Sequence, residues 1–148
     1  MSDNGTVMRI IAVAATVVAI AATAACKKPR DKLAAELDQA CRDAVADGLV
    51  ADAGPWLAVG PPAHIGSEVD VDEMRALTES FQAGGATRVQ VAYVEIEDVQ
   101  IGGMLVVDLP RAAAARADLF RRYAELVARL ELDPVADHGQ PCLLVGLD

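Results

Sequence analysis

The stretch Thr87–Leu109, TRVQVAYVEIEDVQIGGMLVVDL, contains two runs that are typical of β-strands. Thr87–Ile96 is rich in β-branched and aromatic residues, and a second run follows from Val99 to Leu109. The acidic pair Glu97-Asp98 divides the stretch evenly, so we expect a hairpin turn there. Gly102-Gly103 is the alternative turn, and otherwise it predicts a bulge or a bend within the second strand. The stretch therefore predicts an antiparallel hairpin.

Helical patterns precede and follow this hairpin. Asp70 is placed to cap a helix, with Glu73 as its capping-box partner, and Gly84-Gly85 ends that helix. After the hairpin, Pro110 lies near the first turn of a long helix that Asp133-Pro134 closes. The apolar stripe of the long helix consists of Ala112, Ala115, Leu119, Tyr123, Leu126, Val127 and Leu130.

The outer parts of the domain give shorter signals. Apolar residues at a spacing of four predict a first helix from Asp31 to Asp47, and Gly48 stops it. Trp56–Val59 is a short apolar run between Gly and Pro residues, which predicts a brief edge strand. Ala63–Val69 is predicted as a loop, and Cys142–Leu147 as a final buried strand.

The order of these elements after the first helix is strand, helix, strand, strand, helix, strand. This βαββαβ order predicts an α+β fold of the ferredoxin-like type, a two-layer sandwich with a four-stranded antiparallel sheet and both helices on one face. The first helix is an addition that packs on the sheet or is stapled to it through Cys41. If Trp56–Val59 is not a strand, the alternative is a three-stranded α+β sandwich.

A second decisive stretch lies at the N-terminus. Ile10–Ala25 contains only Ile, Val, Ala and Thr, between Arg9 and Lys27-Lys28. Its sixteen residues would span roughly 24 Å as a helix at about 1.5 Å per residue. That is short for a bilayer core of about 30 Å, and it suits the apolar region of a secretory signal better.

The end of this stretch, Thr23-Ala24-Ala25-Cys26, resembles the lipobox of bacterial lipoprotein signals. The resemblance implies cleavage before Cys26, a lipid on the Cys26 thiol, and a domain that faces the extracytoplasmic side of the cell envelope. It covers only the first twenty-six residues. Two alternatives remain open: secretion without a lipid, and an uncleaved single span with the domain in the cytoplasm, which the positive flank Lys27, Lys28 and Arg30 would favour.

This interpretation divides the chain into a signal peptide at 1–25, a lipidated cysteine with a basic tether at 26–30, and a single domain at 31–148. The net charge of the chain is −9, and residues 31–98 carry four basic against fourteen acidic side chains. We therefore expect no nucleic-acid partner, because such binding depends on basic contacts to phosphate. The expected partners are the membrane, through the lipid, and an envelope protein.

The chain contains three cysteines. If Cys26 carries a lipid, Cys41 and Cys142 remain as a pair in an oxidising compartment, where disulfides persist. Cys41 lies on the apolar face of the first helix and Cys142 opens the last strand, so both should reach the core. The alternative is two buried free thiols.

Candidate chemistry is sparse. Asp137-His138 could supply two members of a hydrolytic triad, but no Gly-x-Ser-x-Gly pattern accompanies them. The only other histidine, His64, has no neighbouring metal-ligand spacing. The acids Glu68, Asp70, Asp72 and Glu73 are either a calcium site or, more simply, helix-start acids. The arginines Arg116, Arg121, Arg122 and Arg129 either grip an anion or form a solvated face.

We therefore assign no catalytic residue, no metal ligand and no cofactor from the sequence. The leading hypothesis is a non-enzymatic envelope protein that is held by a lipid and binds a partner. The alternatives are an envelope hydrolase that uses the Asp137/His138 loop, and a membrane-anchored cytoplasmic domain with a regulatory or structural role.

Overall fold

The computed structural model describes residues 29–46, 48–59, 63–66, 69–129 and 131–147, so the predicted signal and Cys26 lie outside the described residues. The elements in these residues are α1 (Pro29–Ala46), β1 (Leu49–Asp52), α2 (Ala53–Ala58), β2 (Ala63–Ile65), α3 (Val71–Ala83), β3 (Arg88–Ile96), β4 (Val99–Asp108), α4 (Ala113–Arg129) and β5 (Cys142–Gly146). None of the described helices is long and apolar enough to cross a bilayer.

The hairpin of β3 and β4 has the predicted turn. Glu97 and Asp98 have φ values of 49° and 65°, and Ile96 pairs with Val99 across them. Two consecutive residues with positive φ are the mark of a type I′ turn, whose twist matches that of antiparallel strands. The prediction of the turn at Glu97-Asp98 is confirmed.

The alternative turn, Gly102-Gly103, is a β-bulge. Ala92 lies opposite Met104 but Tyr93 lies opposite Gly102, so Gly103 is the extra residue of β4. On the edge that faces away from β3, β4 has two different neighbours, one on each side of the bulge. Before it β4 pairs in parallel with β2, and after it β4 pairs with β5 in the antiparallel direction.

The sheet places the hairpin at its centre, with β1 beside β3 and β5 beside β4. The α+β class, the four antiparallel strands and the extra N-terminal helix agree with the prediction. The strand order differs from the interleaved order of a split βαβ fold, because the helices connect each outer strand to the adjacent strand of the hairpin, β1 to β3 and β4 to β5. The short parallel strand β2 is an addition to the predicted set.

The predicted strand at Trp56–Val59 is wrong, because Ala53–Ala58 forms helix α2. Pro55 is the third residue of this helix, where a proline loses no helical hydrogen bond. The strand that pairs with β3 is instead Leu49–Asp52, just after Gly48. Trp56 and Leu57 still enter the core, but from a helix.

Three predicted boundaries also change. Ala63–Ile65 is a strand and not loop, although it has only three residues and pairs only with β4. Helix α1 begins at Pro29, within the segment predicted as a tether. Helix α4 begins at Ala113, because the backbone N–H of Leu109 donates to the Pro141 carbonyl and keeps the chain extended up to Pro110.

The two faces of the sheet are covered unequally. Alternate residues of β4 and β5, such as Leu105 and Val145, face α2, α3 and α4 and form the main core with Trp56, Met74, Phe81, Leu119, Tyr123 and Leu126. Of the described elements, α1 alone lies on the opposite face, with Cys41, Val106 and Cys142 buried and Ala44, Ala92 and Leu144 packed around them. Two of the apolar residues that recur at a spacing of four along α1, Leu33 and Val45, are exposed.

The substitution Gly102→Ala is expected to destabilise the domain, by about 1–3 kcal/mol, as overpacking of a core does. A Cβ atom at residue 102 would lie 2.9 Å from Cη2 of Trp56 and 3.0 Å from Cγ1 of Val91. The Trp56 ring cannot easily give way, since its Nε1 donates to Gln100 at 2.9 Å. Urea unfolding measures the change. The matched control is Gly103→Ala, whose Cβ would meet no atom within 4 Å; equal losses in both variants would contradict the packing argument.

Candidate functional site

The disulfide between Cys41 and Cys142 joins α1 to the first residue of β5. The two Cα atoms are 6.0 Å apart and the bridge links residues 101 positions apart in the chain. Both cysteines are buried, on the side of the sheet that carries α1. The predicted pairing of these two cysteines is therefore confirmed, and α1 is covalently held to the sheet.

The Asp137/His138 loop is organised by Arg116 of α4. The Asp137 carboxylate accepts from Nη2 of Arg116 at 2.5 Å and from Nε at 3.0 Å, and it also accepts from the backbone N–H of Gly139 at 2.9 Å. Arg116 additionally donates to the carbonyls of Pro110 and Gln140. This guanidinium thus connects the loop to the start of α4.

The electrostatics of this loop favour a structural role. The hydrogen bonds from Arg116 hold the pKa of the Asp137 carboxyl below its usual value, with smaller support from the Gly139 N–H and the Arg116 charge. Nδ1 of His138 is shielded from solvent and has no hydrogen-bond partner among the described residues, so Asp137 does not orient the imidazole. A triad requires that contact, and the described geometry does not provide it.

Gln140 completes the loop. Its side chain is buried, accepts from the backbone N–H of His138 at 2.7 Å and donates to the Ala136 carbonyl at 3.1 Å. A buried amide needs such partners. The residue type alone gives no signal for this role, because glutamine is usually exposed.

The remaining arginines of α4 are each bonded to acids. Arg121 contacts Asp118 and Glu125, and Arg122 contacts Asp118 and the Ser80 hydroxyl. Their hydrogen bonds, that from Arg122 first, lower the pKa of the Asp118 carboxyl. Arg129 pairs with Glu73 of α3. This arrangement fits the predicted charged helix face better than an anion site.

The acids at the start of α3 serve the helix. Asp70 accepts from the Glu73 backbone N–H at 2.8 Å, as predicted for the cap, while Asp72 pairs with Arg75. Glu68 lies outside the described residues, and His64 lies on β2 opposite Ile101. Within the described part of the chain, no three His, Cys, Asp or Glu side chains are grouped to hold a metal ion.

An apolar groove lies beside α1 on the sparsely covered face of the sheet. Its volume is about 460 Å³, and it is lined mainly by Asp43 and Ala44 of α1 and by Ala92, Val94, Ile101 and Met104 of the hairpin. We call it the α1–hairpin groove. Val94 and Ile96 are 56% and 55% exposed, so apolar surface continues from the groove towards the turn.

Comparisons with known proteins give no relative for this chain. No protein-family model matches it, and neither a curated protein nor a solved structure is significantly similar.

Proposed function

We propose that this chain is a lipid-anchored protein of the bacterial cell envelope, with the lipid on Cys26 and the folded domain on the extracytoplasmic side. The domain acts by binding a protein partner and not by catalysis. Residues 1–25 serve as the signal that directs export and is removed before Cys26. The proposal combines the lipobox-like stretch Thr23-Ala24-Ala25-Cys26 with the chemistry of the folded domain.

The observation that carries the proposal is the disulfide between Cys41 and Cys142. Disulfides persist in oxidising compartments such as the periplasm and are rare in the reducing cytoplasm. The bridge also uses two of the three cysteines, which leaves Cys26, the cysteine of the lipobox, as the one available for a lipid. Export is therefore favoured over the alternative of a membrane-anchored cytoplasmic domain.

The position of α1 supports attachment close to a membrane. Helix α1 begins at Pro29, so only Lys27 and Lys28 separate it from Cys26. These two lysines would lie at the level of the lipid head groups, where basic residues are attracted to anionic lipids.

A binding role is supported by the two surfaces described above. The Asp137 carboxylate is bonded to Arg116 and Gly139 and is not free to orient His138. In the α1–hairpin groove, in contrast, the described residues leave apolar side chains such as Val94 exposed, as recognition surfaces often do.

The test is the intact mass of the protein extracted from its native membrane, compared with that of a Cys26→Ala variant. We expect the native protein to begin at Cys26, to carry acyl chains and to lack the two hydrogens that the Cys41–Cys142 bridge removes. The variant should keep Met1–Ala25 and gain no acyl chain, because it lacks the modified thiol.

The matched control is the double variant Cys41→Ala/Cys142→Ala, which should be cleaved and acylated like the native protein. A native mass that retains Met1–Ala25 with an unmodified Cys26 would overturn the proposal. A mass that shows cleavage of the signal without acyl chains would indicate secretion without a lipid anchor.

A further inference from the structure

The α1–hairpin groove lies next to the last turns of α1, at the end of the helix remote from Cys26. Its walls include Asp43 and Ala44, while α1 begins at Pro29. At about 1.5 Å per residue, the groove is roughly 20 Å along the helix from the end that the lipid would restrain. A partner therefore has access to the groove when the protein is anchored.

At the floor of the groove, an occupant can pack its side chains on the face of the sheet but cannot pair with it as an added strand. The floor is formed by β3 and β4, and Ala92 pairs with both Val50 of β1 and Met104 of β4. Both edges of β3 are thus occupied at this point, so an incoming segment cannot join the sheet there. An apolar face of a sheet is normally buried against a second layer, often of helices. Here α1 covers β5, the second half of β4 and part of Ala92 on β3. The uncovered strip beside α1 has the setting for one more helix.

Apolar side chains on the strip are arranged for such a helix. Val94 lies directly opposite Ile101, and Ala92 directly opposite Met104, so the four side chains form a continuous patch on one face of the hairpin. Val94 is more than half exposed. The patch would pack against residues that recur at every third or fourth position of a helix.

The charges around the groove determine which occupant fits. Among the described residues that line the groove, Asp43 is the one that carries a charge. Glu97 and Asp98 form the exposed turn at its far end. Residues 31–98 as a whole carry fourteen acids against four bases. A second copy of the chain would bring acids against acids, and an anionic lipid surface would be repelled in the same way. A helix with basic flanks is attracted to this surface.

We infer that the α1–hairpin groove binds an amphipathic helix of a partner protein, with apolar residues facing Ala92, Val94, Ile101 and Met104 and with Lys or Arg residues on its flanks. The helix lies on the sheet beside α1. The inference rests on the proposed binding function and names the surface and the chemistry of the partner.

The test uses the full chain in phosphatidylcholine nanodiscs and a fluorescent eighteen-residue probe peptide, with empty nanodiscs as the blank. The probe has Leu at positions i, i+3, i+4 and i+7 and Lys at the remaining positions. We expect saturable binding by fluorescence anisotropy. Salt should weaken it, because it screens the attraction between the Lys residues of the probe and the acids around the groove. A scrambled peptide of the same composition and a peptide with Glu in place of Lys should each bind at least tenfold more weakly.

The decisive variant is Val94→Lys, which places a positive charge in the groove and should weaken binding of the basic probe at least tenfold. Val59→Lys is the matched control, since Val59 is 67% exposed and follows α2 on the other side of the sheet; it should bind like the native chain. Thermal unfolding of both variants verifies that they are folded.

Four results would overturn the inference: no binding above the blank, equal binding of the scrambled or the acidic peptide, no effect of Val94→Lys, and a concentration-dependent dimer that blocks the probe. Binding of the protein to phosphatidylglycerol vesicles that is lost in Val94→Lys would show that the groove binds a membrane and not a partner helix. This inference can fail while the proposed lipid anchor stands, and the reverse, because the mass of the native protein reports on Cys26 whether or not the probe binds.

Discussion

Removal of the bridge between Cys41 and Cys142 is expected to lower the free energy of unfolding by about 2–5 kcal/mol, as for native disulfides of small domains. The bridge joins residues 101 positions apart, and the chain-entropy model assigns about 4.7 kcal/mol to a loop of this size. The calculation treats the effect as a restriction of the unfolded chain, so the measured loss should not exceed it by much.

The same change should release α1 from the sheet. The contact under α1 is made mostly of small side chains, with Cys41, Val106 and Cys142 buried and Ala44, Ala92 and Leu144 around them. Burial of apolar surface contributes about 25 cal/mol per Å², and small side chains supply little of it. Without the covalent link we expect amide hydrogen exchange to accelerate most in α1, through local release of the helix. In α3 and α4 it should accelerate by no more than the fall in the free energy of global unfolding allows.

Urea unfolding and hydrogen exchange, each with and without a reductant, measure the two effects. The control is the double variant Cys41→Ala/Cys142→Ala, which should behave like the reduced native protein and should not respond to the reductant. An unchanged unfolding midpoint together with full protection of α1 after reduction would show that packing alone holds the helix.

The elements that were predictable from the sequence are those whose signals are local and redundant. The hairpin carries β-branched residues on both strands, and the pair Glu97-Asp98 divides them evenly, so strand type and turn position agree. For α3, the cap at Asp70 and the stop at Gly84 mark both ends of the helix. Agreement between independent local signals is what makes such a prediction secure.

The misplaced first strand has a physical reason. Leu49–Asp52 has four residues and is held by its pairing with β3, a contact that is not visible in the local sequence. The apolar run beginning at Trp56 was more prominent, but the first-turn position of Pro55 allows a short helix there. Short apolar runs are ambiguous between strand and helix. In both segments, tertiary contacts determine the secondary structure.

Residues of the candidate sites were predictable to different degrees. Cys41 and Cys142 followed from their positions on an apolar helix face and at the start of a strand, together with the low number of cysteines. The α1–hairpin groove was not predictable, because it depends on how much of the sheet α1 leaves uncovered. In the sequence Arg116 is one of several helix arginines, and its bond to Asp137 depends on the loop geometry.

The main core should contribute more packing energy to the stability of the domain than the small side chains under α1 do. Leu105 lies on the central strand β4, is fully buried, and pairs with Val91 on one side and Val145 on the other. It faces the layer of α2, α3 and α4, where large apolar side chains such as Met74 and Phe81 are also buried. A close-packed site of this kind cannot collapse around a missing side chain without moving several neighbours.

Leu105→Ala is therefore expected to lower the free energy of unfolding by about 2–5 kcal/mol, the range for buried leucines, because the lost transfer free energy is joined by the cost of the cavity. Urea unfolding of the disulfide-bonded protein measures the change. Leu132→Ala is the matched control, since Leu132 follows α4 and is 53% exposed; it should change stability by less than about 0.5 kcal/mol. A loss below about 1 kcal/mol for Leu105→Ala would mean that the helices of this layer do not pack on the sheet as described, and the scaffold that presents the α1–hairpin groove would then be in question.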